Sequence, residues 1–286
     1  MLRVENLEFS YETKKVLEDI SFEAEGNSVV SLLGPNGVGK TTLLKCICNI
    51  HRPQKGVVSV NGTDVLKLSR RELARHVGYV PQKSPAVRAT VFDSVLIGRR
   101  PYIDWNATQD DISKTWAAIR ALGLEDLSLR YLDELSGGEF QKVQVARAIV
   151  QEPDVLIMDE PTSNLDIANQ HMTMHMVIDA VRSKGVCTLM TMHDINLAVH
   201  YSDRLLFMKD GRIAAYGGTE IITAELIKEV YNIDVDVIDH KGAPFIIPLS
   251  RGALPMVRHD HKHDHPHDVR DHLHDVYGYQ NGGHKH

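Results

Sequence analysis

The stretch "GPNGVGKTT", residues 34–42, places a glycine-rich loop between an apolar run, "VVSLL" (29–33), and a helical pattern. The pattern G-x-x-x-x-G-K-[ST] is satisfied by Gly34, Gly39, Lys40 and Thr41. In such a loop, backbone N–H groups surround a nucleotide's β-phosphate, and the lysine reaches the β- and γ-phosphates. The threonine hydroxyl ligates Mg²⁺. The stretch therefore predicts a nucleotide site that follows a buried strand.

A second apolar run, "VLIMDE" (155–160), ends in two carboxylates. Asp159 is placed to hold Mg²⁺, and Glu160 to orient and polarise a water that attacks the γ-phosphate. The alternative, a strand that ends in a solvated acidic turn, is disfavoured because the chain also carries the glycine loop.

Short continuous apolar runs recur along the chain and predict strands buried on both faces: "VVSLL", "VLIM", "VCTLM" (186–190) and "LLFM" (205–208). "KDGR" (209–212) predicts a tight hairpin, and "LEFSY" with "VSVNG" predicts β structure near the N-terminus. Residues 86–150 carry helical patterns only. We predict an α/β fold: a RecA-like P-loop NTPase core with a mostly parallel sheet, an N-terminal antiparallel β subdomain and an inserted α-helical subdomain at about 86–150.

The C-terminal part divides into two regions. "AELIKEVYNI" predicts a helix, and "VDVID" and "PFIIPL" predict two short strands, so we place the folded domain at 1–255. Residues 256–286 are rich in His and Asp without apolar periodicity, and we expect a disordered tail.

Composition excludes several function classes. A formal net charge of −6 disfavours a nucleic-acid partner. No apolar run reaches the about 18 residues of a membrane span, and the N-terminus lacks a signal-peptide pattern. If the chain works at a membrane, another subunit is expected to hold it there. The three cysteines, Cys46, Cys48 and Cys187, are too few for a disulfide framework and suit a reducing cytosol as small packed residues.

A second helix start, "LSGGEFQKVQVARA" (135–148), also predicts an anion site. With this segment, residues 1 to about 240 resemble the ATP-binding cassette (ABC) family. The resemblance implies a homodimer of two chains packed head to tail. Ser136, Gly137 and Gly138 would then face the γ-phosphate of the ATP held by the partner's loop.

The resemblance assigns further roles. Tyr11 corresponds to the aromatic residue that stacks on adenine. Gln82, in "YVPQ", corresponds to the glutamine that senses Mg²⁺ and the attacking water, and His193, in "TMHD", to the histidine that contacts the γ-phosphate. Asp166, in "SNLD", corresponds to the aspartate that meets the opposite subunit, and it can also cap a helix. The predicted catalytic residues are Lys40, Gln82, Glu160 and His193, the Mg²⁺ ligands are Thr41, Gln82 and Asp159, and the remaining nucleotide contacts are Asn36, Gly37 and Thr42. Phe140 departs from the family, which often has a polar or basic residue there.

One segment indicates what the ATPase drives. "SPAVRATVFDSVLIGRRPYIDW" (84–105) resembles the coupling region of importers for ferric siderophores, haem and cobalamin. The residues carried over into the groove that receives a permease loop are Gly98, Arg99, Arg100, Pro101, Tyr102 and Trp105. We predict a prokaryotic importer subunit on the cytoplasmic face of the membrane, working with permease subunits and an external binding protein. The alternatives are an iron–sulfur assembly ATPase, a molybdate or tungstate importer, and an ordinary solvated turn at this segment.

The tail holds nine of the sixteen histidines, several of which alternate with aspartates. Imidazole and carboxylate ligands suit Zn²⁺, Ni²⁺ or Co²⁺. The candidate ligands are His259, His261, His263, His265 and His267. The alternative is a solubilising tail with incidental metal affinity.

Overall fold

The computed structural model describes residues 1–84, 88–163 and 165–249, with a six-stranded sheet at the centre. In chain order its strands are β3 (Val29–Leu33), β6 (Val77–Val80), β7 (Val155–Met158), β8 (Cys187–Thr191), β9 (Arg204–Lys209) and β10 (Arg212–Gly217). The spatial order is β10-β9-β3-β8-β7-β6, and every pair is parallel except β9–β10. The predicted mostly parallel sheet and the hairpin at 209–212 are confirmed.

A four-stranded antiparallel sheet forms the N-terminal subdomain. Its strands are β1 (Leu2–Tyr11), β2 (Lys14–Ala24), β4 (Lys55–Val60) and β5 (Thr63–Asp64), in the order β2-β1-β4-β5. In β1 the apolar side chains are buried and the polar side chains between them are more exposed, as expected for a sheet with one covered face.

Eight α-helices connect and cover the sheets in the described part of the chain. They are α1 (Lys40–Ile47), α2 (Arg70–His76), α3 (Val91–Ile97), α4 (Gln109–Ala121), α5 (Gly137–Ile149), α6 (Ile167–Ser183), α7 (Ile195–Tyr201) and α8 (Ala224–Tyr231). Short 3-10 turns lie at Val65–Lys67, Glu125–Leu127, Leu132–Glu134 and Thr219–Ile221. None of the helices in the described ranges is both long and apolar enough to cross a bilayer.

Helices α3, α4 and α5 lie between β6 and β7 and pack on one another. The predicted helical insertion is therefore present, and its described residues add only an isolated bridge between Thr90 and Tyr131. After α8, the two predicted strands are present as β11 (Val235–His240) and β12 (Ala243–Pro248), which pair as an antiparallel hairpin.

The central sheet is buried on both faces because alternate residues of its strands join different cores. In β3, Val29 and Leu33 pack with the helical side, whereas Val30 and Leu32 pack with the antiparallel sheet and α1. This accounts for the continuous apolar runs in the sequence. Cys46, Cys48 and Cys187 are buried free thiols, as predicted, and burial raises the pKa of Cys46 to about 12.

Residues 1–249 form one unit, and residues from 250 lie outside the described residues. The proposed domain limit at 255 and the proposed tail therefore remain predictions.

Candidate functional site

The glycine loop joins β3 to α1 and depends on backbone angles that other residues avoid. Gly34 has φ of 145°, and a Cβ there would lie 2.5 Å from the Met208 carbonyl oxygen. Gly39 has φ of 111° and occupies the N-cap of α1. Both glycines are thus required for the loop to pass under neighbouring backbone and turn directly into the helix.

Lys40 is the first residue of α1 and is only 6% exposed. Its Nζ donates to the carbonyl oxygens of Gly34 (2.6 Å) and Pro35 (3.0 Å), so the ammonium lies over the loop. Burial lowers the pKa of Lys40, while Glu160 and Asp159 act in the opposite direction. A phosphate oxygen at the loop would offer this charge a stronger acceptor than a carbonyl.

Asp159 follows β7 and is 2% exposed. Its Oδ1 accepts hydrogen bonds from Thr41 Oγ1 (3.1 Å) and Thr191 Oγ1 (2.8 Å). Thr191 also accepts from the backbone N–H of Glu160 at 2.8 Å, so one hydroxyl fixes both acidic residues. The sequence reasoning missed Thr191, although its place at the end of β8, two residues before His193, was a usable signal.

Glu160 brings together two residues that are distant in sequence. Gln82 Nε2 donates to Glu160 Oε2, and His193 Nε2 lies 2.5 Å from Glu160 Oε1. Glu160 has φ of 52°, a left-handed conformation that turns its side chain out of the strand direction. The described structure thus places four predicted residues, Thr41, Gln82, Glu160 and His193, around the end of β7.

Tyr11 is 44% exposed beside the loop, where its side chain and Lys40 line a cavity of about 290 Å³. Its hydroxyl lies 2.9 Å from His51 Nε2, and the His51 ring stacks on Phe9 at 5.3 Å. His51 and Phe9 were missed because their contact with Tyr11 depends on the pairing of β1 and on the loop after α1.

The second helix start lines a separate cavity of about 410 Å³ with Asp166. Ser136 caps α5 and forms a reciprocal capping box with Glu139, which holds the pKa of Glu139 below its usual range. Asp166 caps α6, as predicted, by accepting from the Asn169 N–H at 2.9 Å. This cavity shares no lining residue with the cavity at the glycine loop.

Phe140, the departure from the family pattern, packs against the helical-side core and is partly buried. Its ring therefore has a packing role within the α5 environment.

The segment after α3 lines a cavity of about 570 Å³ against α2. Arg71 Nε donates to the Pro101 carbonyl (2.9 Å), and Arg71 Nη2 lies 2.5 Å from Asp104 Oδ1, which fastens the segment to α2. Of the six residues predicted for a groove, Gly98, Arg100 and Pro101 line it.

Arg99, Tyr102 and Trp105 do not line this cavity, and their part in a permease groove stays a prediction. Arg99 is 3% exposed and binds Asp111 Oδ1 at 3.0 Å and Glu152 Oε2 at 3.0 Å, so it holds the segment from inside. The Tyr102 ring covers the Arg99 guanidinium at 4.1 Å. Trp105 is 95% exposed and does not line the cavity.

The tail histidines predicted to bind a transition metal, His259 to His267, lie outside the described residues. Their metal binding stays a prediction.

A phosphate loop, a buried carboxylate beside a threonine hydroxyl and a glutamate at the end of a parallel strand define a P-loop ATPase. The chain belongs to the ABC transporter family, whose sequence pattern matches residues 17–163. ATPases of this family bind ATP with Mg²⁺ and hydrolyse it to power transport, and those of importers dimerise and pair with membrane permease subunits.

The chain is similar to several known ABC transporter proteins in sequence and in structure. An uncharacterised ABC transporter ATP-binding protein of Methanocaldococcus jannaschii is 46% identical over 250 residues, which cover 87% of this chain and 98% of that one. The phosphonates import ATP-binding protein PhnC 2 of Haloarcula marismortui is 33% identical, with coverage of 84% and 93%. The ferric enterobactin transport ATP-binding protein FepC of Escherichia coli is 32% identical, with coverage of 88% and 95%. A solved ABC transporter assigned to the metal-chelate type, in an inward-facing conformation, superposes with a TM-score of 0.75 at 30% identity, covering 87% of this chain and 97% of that one.

Proposed function

We propose that this chain is the ATP-hydrolysing subunit of a prokaryotic importer and works as a head-to-tail homodimer. The dimer is proposed because one chain has two separate features that are predicted to bind phosphate, the glycine loop and the start of α5. The glycine loop and the start of α5 line different cavities with no residue in common, which favours two half-sites that serve different nucleotides. A second chain would bring its Ser136, Gly137 and Gly138 to the nucleotide on the first.

Oxygen donors suited to Mg²⁺ stand together at the end of β7. The buried Asp159 carboxylate lies 3.1 Å from the Thr41 hydroxyl, and Mg²⁺ prefers carboxylate and hydroxyl oxygens. Bound Mg²⁺ would neutralise charge on the β- and γ-phosphates. Gln82 is the third proposed ligand, and because it also contacts Glu160 it would link a bound Mg²⁺ to the proposed water-activating carboxylate. The cavity at the glycine loop is also lined by the remaining proposed nucleotide contacts, Asn36, Gly37 and Thr42.

Glu160 is the proposed general base. One of its carboxylate oxygens faces Gln82 and the other faces His193, so the side chain is held at both ends. A base held in this way keeps its orientation towards an attacking water. His193 is half-exposed and is proposed to turn towards the γ-phosphate when nucleotide binds.

The cavity beside α2 is the proposed docking groove for a permease loop. It is open, lined by Arg100 and Pro101, and built on a loop that Arg99 anchors from inside. Closure of the dimer on ATP would move the two grooves together and drive the permease, provided that ATP binds the closed state more tightly. The chain would then reside at the cytoplasmic face of the membrane.

The proposed cargo is a metal chelate such as a ferric siderophore, cobalamin or haem, delivered by an external binding protein. The ferric enterobactin relative and the metal-chelate type structure support this class. The phosphonate relative is as similar and makes a phosphonate the second candidate.

The test is to purify the tagged chain from detergent-solubilised native membranes and to identify its stoichiometric partners by mass spectrometry. A polytopic permease is expected, and uptake assays of cells lacking it, with ferric siderophore, cobalamin, haem and phosphonate, would assign the cargo. Arg100→Glu should lose the permease while keeping ATP hydrolysis by the isolated chain, whereas Arg120→Glu, on the exposed side of α4, should keep both. If only soluble cluster-assembly proteins were recovered with the chain, the assignment as an importer subunit would be wrong.

A further inference from the structure

Three histidines outside the nucleotide site lie together on the surface of α6 and α7. His171 and His175 are one turn apart on α6, in "HMTMH" (171–175), and His200 comes from α7. The His200 ring centroid is 6.0 Å from that of His171 and 6.2 Å from that of His175. All three are exposed, and none is used by the proposed ATPase mechanism.

The spacing on α6 suits a metal ion. Residues i and i+4 lie on the same helix face with Cβ atoms about 5–6 Å apart. Two histidines with this spacing on a helix are a known way to bind Zn²⁺. Three imidazoles that ligate one tetrahedral ion at about 2.1 Å have ring centroids about 5 Å apart. The two separations given above, from His200 to His171 and from His200 to His175, exceed this by about an ångström.

Tyr201 prepares His171 for binding. The Tyr201 hydroxyl has one proton, which it donates to the His171 carbonyl oxygen at 3.3 Å. Its oxygen also lies 2.9 Å from His171 Nδ1 and accepts from that nitrogen in the tautomer that protonates Nδ1. Nε2 of His171 then carries the lone pair that a metal needs. Metal-binding histidines are oriented by a hydrogen bond of this kind from the other ring nitrogen.

We propose that His171, His175 and His200 form a site for a divalent transition metal, with Zn²⁺, Ni²⁺ and Co²⁺ as the suitable ions. As the side chains stand, no three His, Cys, Asp or Glu of the described residues are placed to hold a metal ion, so the exposed His175 and His200 rings must rotate to form the site. The ion keeps access to water as a fourth ligand because the site is on the surface.

Binding at this site would fasten α6 to α7. Asp166 is the N-cap of α6, and Asp194, directly after His193, is the N-cap of α7. The ion would thus join the two helices that directly follow the proposed partner-facing aspartate, Asp166, and the proposed γ-phosphate histidine, His193. This metal site does not depend on the importer assignment.

The test uses the full chain with the nine histidines of residues 259–286 changed to Asn, so that the tail cannot compete. Calorimetric titration with ZnCl₂, without nucleotide or Mg²⁺, should give one ion per chain and a raised Tm. His171→Asn, His175→Asn and His200→Asn should each weaken binding by at least about 10-fold, and Tyr201→Phe, which keeps the ring, by about 10-fold. His240→Asn, at an exposed histidine on β11, is the matched control and should change nothing.

Three outcomes would overturn the proposal. One is the absence of stoichiometric Zn²⁺ binding in the chain with the altered tail. Another is unchanged affinity in the variant that lacks all three histidines. The third is loss of binding in His193→Asn alone, which would place the ion at Glu160. Phosphate release by each variant with Mg²⁺ and ATP, measured before Zn²⁺ is added, checks that the variants are folded.

Discussion

Glu160→Gln tests the assigned base most sharply. The replacement keeps the shape of the side chain and one acceptor oxygen for its neighbours Gln82 and His193, but it removes the group that accepts the proton from water. Positioned general bases contribute roughly 100- to 10,000-fold to rate. That range corresponds to about 2.7–5.4 kcal/mol of transition-state stabilisation. Because both carboxylate oxygens are held, we expect the loss in kcat at the upper end of this range.

The assay is steady-state phosphate release with Mg²⁺ and saturating ATP, combined with size-exclusion chromatography. The variant should retain ATP in a dimer that wild-type protein forms only transiently, since binding is intact and hydrolysis is blocked. Thr162→Ala, four residues after the end of β7, is a control for local disturbance and should keep kcat within about threefold. A Glu160→Gln protein that turns over ATP at the wild-type rate, with an unchanged urea midpoint, would refute the assignment.

Three further predictions concern the surrounding residues. Arg99→Met should lower the free energy of unfolding by about 3 kcal/mol in urea titrations, because it leaves the Asp111 carboxylate buried without its cation. Arg100→Met, at an exposed arginine, is the control and should change the free energy of unfolding by less than about 0.5 kcal/mol. Equal effects of the two substitutions would contradict a stabilising buried pair of Arg99 and Asp111. Burial alone would raise the pKa of Asp111, but hydrogen bonds from Thr108 and Arg99 outweigh it and hold the pKa below its usual 3.8. The stability that wild type has over Asp111→Asn should therefore be complete above about pH 4 and shrink as the pH falls through the lowered pKa, and a difference that does not vary with pH would contradict this. Tyr11→Ala should raise KM for ATP by roughly 5- to 150-fold, as expected for loss of about 1–3 kcal/mol of base stacking. Tyr11→Phe keeps the ring, so its KM should stay near that of wild type. An unchanged KM in Tyr11→Ala would place adenine elsewhere.

The central strands were predictable because a strand buried on both faces must be apolar throughout. Each run quoted from the sequence, such as "VVSLL", lies within or next to a strand of the six-stranded sheet. The nucleotide loop was predictable for a related reason, since the Gly34 backbone passes too close to Met208 for any side chain.

Residues whose role depends on contacts between distant segments were not predictable. Arg99 stood in an apparently exposed arginine pair, but Asp111 and Glu152 come to it from α4 and from beyond α5. Thr191 and His51 act through neighbours that only the sheet pairing brings close. The histidines of α6 and α7 carry a helical spacing in the sequence, but the third member, His200, follows 25 residues after His175, and only the packing of the helices joins them.

The central claim is that each nucleotide lies between two chains. Two variants are prepared on the Glu160→Gln background. Lys40→Ala removes the ammonium group from the glycine loop, and Gly137→Asp places a carboxylate at the start of α5. A side chain at Gly137 meets nothing within 4 Å, so this change should not disturb the fold, and Gly137→Ala is the control that should retain ATP.

The deciding measurement is the amount of ATP retained by each variant alone and by an equimolar mixture. If the site is shared between chains, each variant alone should retain none. The mixture should recover about a quarter of the ATP held by the Glu160→Gln dimer, because half of the dimers are mixed and each has one of two sites intact. No recovery in the mixture, or full retention by Gly137→Asp alone, would contradict the shared site.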